Sequence, residues 1–199
     1  MRLHRTLTPS LFILCLLFWP ALVQADYQAG KDAYFRGDYA TTLKEWRPLA
    51  EQGDAEAQYS LGVMYAHFRY GRSVDYGQAV HWYHLAAEQG HKMAQYKLGA
   101  LYHHGEGMMP QDYGKAARWY RLAAEQGFPA AQANLGHQYQ VGQGVPKNYI
   151  QALMWYKLAV ELGQKDAEIE RDLLARLMTP EQIAEAQRLA REWLAQHQK

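Results

Sequence analysis

The sequence predicts an all-α protein: an α-solenoid of stacked antiparallel helix hairpins, with about four repeats and a C-terminal capping helix. Three observations carry this. The stretch HWYHLAAEQG at 81–90 returns as RWYRLAAEQG at 118–127 and as MWYKLAVELG at 154–163. A second block repeats beside it, AQYSLGVMY (57–65), AQYKLGALY (94–102) and AQANLGHQY (131–139). Glu51, Glu88, Glu125 and Glu161 mark the period, with spacings of 37, 37 and 36 residues, and each is followed two positions on by glycine. A fixed period of this length is the signature of a repeat array, in which one unit cannot bury its apolar face alone and stacked units can.

The elements follow in chain order. Arg2 and Arg5 precede an apolar run from Leu11 to Val23, which ends in small residues at Ala25. This is the pattern of a secretory signal peptide, with cleavage expected between Ala25 and Asp26. The run has 13 residues, and a membrane span needs about 20. Cleavage removes Cys15, the single cysteine of the 199-residue chain, so no disulfide is expected in the exported protein. Cleavage also removes two of the 21 basic residues, against 20 acidic ones, and leaves a net charge of −1. That balance offers no basic excess for nucleic acid or an anionic membrane. Residues 26–163 are expected to form the repeat array and 164–199 the C-terminal capping helices.

Within the array the predicted A/B helix pairs are 27–36/39–52, 55–67/76–89, 92–104/113–126 and 129–141/149–162. With Leu61 at the centre of a helical face, Ala57, Gln58, Met64 and Tyr65 lie within about 60° of it, an amphipathic stripe. Gly62, Gly99 and Gly136 flank the equivalent stripes. A glycine inside a helix costs about 1 kcal/mol against alanine, so three at one register position imply that a partner helix must come close. The pairs Trp82–Tyr83, Trp119–Tyr120 and Trp155–Tyr156 supply the bulk from that partner, and Tyr65, Tyr102 and Tyr139 join the tryptophans as expected core aromatics. The glycine that closes each B helix is a C′ cap, and Pro129 opens a helix at its first turn. In the tail, Thr179, Pro180 and Gln182 form a capping-box start. There Ile183, Ala186, Leu189, Ala190 and Trp193 share an apolar face, opposite Glu185, Arg188, Arg191 and Glu192. Such a helix closes the last open side of a solenoid.

At these residues the chain resembles the Sel-1-like repeat family, a relative of the tetratricopeptide repeats. The family pattern is matched by Ala94, Leu98, Gly99, Tyr102, Gly105, Gly107, Asp112, Ala116, Trp119, Ala123, Ala124, Glu125 and Gly127. The next unit matches it with Leu135, Gly136, Tyr139, Gly142, Gly144, Val145, Trp155 and Gly163. The resemblance covers roughly residues 27 to 163. RGDYATTLKEW (36–46) belongs to a shorter first unit. HFRYGRSVDY (67–76) departs from the Gly-x-Gly-Val-Pro loop and leaves the backbone path of the second unit open. The resemblance implies a right-handed superhelix that mediates protein–protein contacts, and in bacteria an envelope scaffold or host-interaction factor. Some secreted relatives are linked to penicillin binding, so a cell-wall-related hydrolase is the alternative.

The residues offer little chemistry for that alternative. The exported chain has two serines, Ser60 and Ser73, and neither sits in Ser-x-x-Lys or Gly-x-Ser-x-Gly. With no cysteine, a nucleophile has almost no candidate. His81 and His84 share a helix face, and His103, His104 and Glu106 cluster. Positions equivalent to the first pair carry Arg118 and Arg121, then Met154 and Lys157, as a solvated face would. No metal and no cofactor is expected, because such sites need three or four converging ligands. The loop GEGMMPQDYG lacks the Lys-Ser/Thr of a phosphate cradle.

A partner protein is therefore the expected ligand, bound by a monomer in the periplasm or outside the cell. In stacked hairpins the A helices line the concave side. Their free faces carry Tyr59 and Val63, then Met93, Tyr96, Ala100 and His103, then His137 and Gln140, with Lys97 and Asn134 at the edge. Tyrosine and methionine are enriched where proteins bury partner surface. The alternative is that these residues pack between neighbouring A helices. A second candidate patch is the odd loop, with Phe68, Arg69, Tyr70 and Arg72; its alternative is a tolerated surface loop.

Overall fold

The computed structural model describes residues 25–67, 74–106 and 109–197. The predicted signal segment up to residue 24 and the loop residues Phe68, Arg69, Tyr70 and Arg72 lie outside the described residues. Four hairpins follow one another: α1 (Tyr27–Arg36) with α2 (Tyr39–Glu51), α3 (Ala55–Ala66) with α4 (Tyr76–Glu88), α5 (Lys92–His104) with α6 (Tyr113–Glu125), and α7 (Pro129–Val141) with α8 (Tyr149–Glu161). Two helices close the array, α9 (Ala167–Ala175) and α10 (Pro180–His197). The observed ends agree with the predicted pairs to within one residue. Packing runs in chain order from α1 to α9, and α10 returns to lie on α8.

The helix starts follow from capping. Each B helix of the array begins at an Asp or Asn whose side chain accepts a backbone N–H: Asp38 from Thr41, Asp75 from Gln78, Asp112 from Lys115 and Asn148 from Gln151. The same residue closes the loop before it. The N–H of Asp75 donates to the Tyr65 carbonyl (3.0 Å), that of Asp112 to Tyr102 (2.9 Å), and that of Asn148 to Tyr139 (2.9 Å). The loop of the second unit therefore ends in the same bond as the others, although its sequence departs from the pattern. The capping box of α10 forms as predicted. Thr179 N–H donates to Gln182 Oε1 at 3.0 Å, and Gln182 N–H to Thr179 Oγ1 at 3.3 Å.

Each hairpin closes on a glycine. A Cβ placed on Gly62 would lie 2.5 Å from Cδ1 of Tyr83, and one on Gly99 would lie 2.5 Å from Cδ1 of Tyr120. On Gly136 the nearest atom, Cδ1 of Tyr156, would be at 3.1 Å. The first unit makes the same contact with different residues, Gly30 beneath Trp46. Tyr83, Tyr120 and Tyr156 are each only 1% exposed. They are buried more deeply than the aromatics the sequence marks as core. Of those, Tyr65, Tyr102, Trp82 and Trp155 are buried, while Tyr139 and Trp119 are half-buried. The second residue of each Trp-Tyr pair faces the glycine inside its own hairpin, and the first faces the boundary between units.

Buried glutamines tie one unit to the next. Gln58 Nε2 donates to the Ala50 carbonyl (2.9 Å), Gln95 Nε2 to Ala87 (3.1 Å) and Gln132 Nε2 to Ala124 (3.1 Å). Each adds a second bond to a carbonyl at the end of the preceding B helix, which already accepts the N–H of the closing glycine, Gly53, Gly90 or Gly127. A second glutamine completes the ladder, Gln89 donating to Gln58 Oε1 (2.7 Å) and Gln126 to Gln95 Oε1 (2.8 Å). Leu162 replaces this second glutamine in the last unit, and Gln132 Oε1 is left buried without a partner there.

Two mutations test these contacts. Gly99→Ala gains about 1 kcal/mol of helix propensity but overpacks against Tyr120, so a net loss of about 1–2 kcal/mol is expected in urea unfolding. Gly136→Ala has the looser contact and should stay within about 0.5 kcal/mol of the parent. Gln95→Leu removes the buried bond to the Ala87 carbonyl and the one from the Gln126 amide, while Gly90 N–H still serves that carbonyl, and the unfolding free energy should fall by about 0.5–1.5 kcal/mol.

Candidate partner-binding face

The A helices present a second face opposite the stripe that meets the B helices. Tyr59 and Tyr96 stand at equivalent positions on it, in α3 and α5. Both are half-buried. The Tyr59 ring lies 5.9 Å from Tyr83 and stacks on the His91 imidazole at 4.6 Å. The Tyr96 ring lies 5.9 Å from Tyr120 and 5.1 Å from Phe128. The tyrosines do not stack on each other. Each is wedged between the tyrosine of its own B helix and the N-cap residue of the next A helix, His91 or Phe128. Each thus packs between units and also offers its outer edge to solvent.

His91 shows why this joint is well defined. Its Nδ1 accepts from Ala94 N–H at 3.3 Å, which caps α5. That role leaves the proton on Nε2, which faces Glu56 Oε2 at 3.1 Å. One imidazole therefore caps its own helix, meets a carboxylate on the previous A helix and covers Tyr59.

The fourth unit lacks the tyrosine. Ala133 stands in its register position, and a cavity of about 220 Å³ opens over Tyr156, walled by Asn134, His137, Asp166 and Glu170. At the other end of the face a cavity of about 190 Å³ is lined by Tyr27, Tyr34, Phe35, Tyr59, Ser60 and Val63. Val63 and Tyr59 thus border one cavity, and Asn134 and His137 the other. Met93, Lys97 and Ala100 are half-buried between them. Gln140 accepts a hydrogen bond from the Tyr156 hydroxyl at 2.7 Å, which ties α7 to α8. His103 packs edge-on to Tyr113 at 5.2 Å, at the start of α6.

Two residues of this face escape the motif. Ile169 and Leu173 on α9 continue the registers of Tyr96–Ala133 and Ala100–His137, and they are 67% and 48% exposed. α9 carries no Leu-Gly pair, which is why the repeat pattern does not reach it. The signal that finds it is the apolar spacing Ile169, Leu173, Leu177. At the other end, Phe35 is 65% exposed beside Tyr59. Of the two serines weighed as nucleophiles, Ser60 is buried with its Oγ 2.9 Å from the Tyr27 hydroxyl, and Ser73 lies outside the described residues. Among the described residues no helix is long and apolar enough to cross a membrane.

A line of sequentially packed hairpins with a continuous side face defines a helical-repeat scaffold. The Sel1 repeat matches this chain at residues 55–91, 92–128 and 129–164, more than half of its length. The protein belongs to the Sel1 repeat family, whose repeats are protein-interaction modules. Two solved structures share the fold. One is a protective antigen present in uropathogenic Escherichia coli strains displaying an SLR fold, with a TM-score of 0.71 and 35% identity over 79% of this chain and 33% of that one. The other is a Sel1 repeat protein from Oxalobacter formigenes, with a TM-score of 0.69 and 32% identity over 74% of this chain and 60% of that one. The chain thus spans a third of the first protein's length and three fifths of the second's. No match was found among curated proteins.

The electrostatics of the face give a pH dependence. Burial, then the neighbouring His104 and His137, hold the His103 pKa below the ordinary value of 6.5. The folded state therefore favours neutral His103, and its contribution is complete above pH 6.5 and lost as the pH falls below it. The unfolding midpoint of the parent should drop more steeply between about pH 7.5 and 5.5 than that of His103→Gln. Parallel curves would show that His103 is not responsible.

Proposed function

We propose that this protein is a non-catalytic scaffold of the bacterial cell envelope, periplasmic or secreted, that holds an extended segment or a helix of a partner protein along its A-helix face. The scaffold acts as a monomer, and its mechanism is shape. A rigid array presents a fixed line of apolar contacts and small cavities, and a partner that matches the line binds without rearranging it. The observation that carries this reading is the continuity of the face. Tyr59, Tyr96 and Ile169 follow one register and Val63, Ala100 and Leu173 a second, one turn on, while Phe35 borders Tyr59 at the α1 end. The exposed members among them are large apolar side chains of the kind that cluster at interaction sites. Met93, Lys97, Ala100, Asn134, His137 and Gln140 fill the rungs between. The cavity at Ala133 accepts a protruding side chain of the partner. Its carboxylates, Asp166 and Glu170, favour a basic one.

Because Tyr59 and Tyr96 also pack between units, replacing them by alanine mixes folding with binding. Site-specific photocrosslinking separates the two. A benzophenone side chain placed at His137 or at Leu173 should trap one and the same partner in intact cells, and one placed at the exposed Glu88 or Glu125 should trap none. Equal yields from both pairs of positions would refute the A-face reading.

A further inference from the structure

The register exposes one break on the other side of the array. At the first unit boundary Arg47 Nη2 donates to the Tyr65 hydroxyl at 3.1 Å, and two units later Arg121 Nη2 donates to the Tyr139 hydroxyl at 2.6 Å. Both bonds reach from a B helix to the A helix that follows, 18 residues on. In the unit between them His84 takes the arginine's place and Tyr102 the tyrosine's. The shorter imidazole turns its edge to Trp119, at 5.6 Å and 82°. The Tyr102 hydroxyl is left without a hydrogen-bond partner among the described residues. A cavity of about 350 Å³ opens there, lined by His84, Tyr102, Lys115, Arg118, Trp119 and Leu122.

The surroundings change with it. Trp119 is half-buried where its equivalents Trp82 and Trp155 are buried. Leu122 is 44% exposed. The positions of Lys115 and Arg118 hold Gln78 and His81 one unit earlier and Gln151 and Met154 one unit later. Two permanent cations thus stand beside this cleft, at positions that carry none in the unit before or the unit after. Lys115 Nζ is shared between Asp112 Oδ2, at 3.6 Å, and the Tyr102 ring, at 5.2 Å. Arg118 has no carboxylate partner among the described residues.

We propose that this cleft between α4, α5 and α6 is a second binding site, and that it takes a partner-protein segment carrying an acidic side chain next to an apolar one. The indole of Trp119 and the side chain of Leu122 receive the apolar group. The Arg118 guanidinium receives the carboxylate in its planar fork, and the Tyr102 hydroxyl donates to it. The cleft is at the small end of ligand-pocket volumes, which suits a pair of side chains better than a cofactor. The site shares no residue with the A-helix face, so either can fail while the other stands.

The test uses the purified protein and two synthetic probes, acetyl-Gly-Phe-Glu-Gly-amide and its glutamine counterpart acetyl-Gly-Phe-Gln-Gly-amide. Binding is read from the NMR resonance of the Trp119 indole N–H. The glutamate peptide should shift that resonance and bind at least about tenfold more tightly than the glutamine peptide. Arg118→Gln should reduce the glutamate peptide to the glutamine level. His84→Arg restores the arginine–tyrosine bridge of the neighbouring boundaries. It should abolish binding of both peptides without lowering the unfolding midpoint, which separates a filled cleft from a damaged fold. An unmoved Trp119 resonance, equal affinity for the two peptides, or undiminished binding by His84→Arg would each overturn the proposal.

Discussion

The contact between an A-helix glycine and a B-helix tyrosine sets the geometry of every hairpin. Tyr83, Tyr120 and Tyr156 lie flat where Gly62, Gly99 and Gly136 have no side chain, and the helix axes come close as a result. The ring fills the space that a Cβ would occupy, so interior packing density is reached without distorting either helix. The alanines of the B helices serve the same end on their other side, where Ala86, Ala123 and Ala159 are fully buried against the next unit. A glycine costs helix propensity locally, and the array recovers that cost through the burial of one large aromatic ring per hairpin.

Between hairpins the requirement is different. Near the end of each B helix the carbonyl of Ala50, Ala87 or Ala124 accepts the N–H of the closing glycine and has a second lone pair facing the next unit. Gln58, Gln95 and Gln132 donate that second bond, and Gln89 and Gln126 satisfy the first two glutamines in turn. The ladder fixes the rotation of each unit on the last, because an amide has a direction and a greasy contact does not. It stops at Leu162, where the array gives way to its closing helices and Gln132 Oε1 goes unpaired. α10 then covers α8 with Ala186 and Ala190 fully buried, and the core ends against it.

A scaffold built this way separates stability from recognition. The inward residues are nearly the same in every unit, whereas the side faces are free to differ. The differences are where binding can be specific: Ala133 in place of a tyrosine, and His84 in place of an arginine. Each removes bulk at one register position, and a cavity borders that rung. A repeat protein thereby makes distinct sites by omission, without altering the frame that holds them.

The helix boundaries, the hairpin pairing, the glycine contacts and the closing helix were legible in the sequence, because they depend on spacing along the chain. A residue at a given register position meets the same environment in each unit, and repetition makes that visible. The glutamine ladder was present as the repeated Ala-Gln pair, but its role shows only when the B-helix carbonyls eight residues earlier are seen beside it. Tyr59 and Tyr96 read as a free face, and the structure wedges them against His91 and Phe128 while leaving their edges outside. That placement depends on how far one unit leans on the next. Ile169 and Leu173 join the same face although α9 has lost the motif, and a cleft borders Tyr102 where a histidine of another helix takes the place of an arginine. The sequence by itself determined what each unit is, since that follows from local periodicity. Only the tertiary structure decided which surfaces remain open, since that follows from contacts between residues of different units, and no spacing within one unit records them.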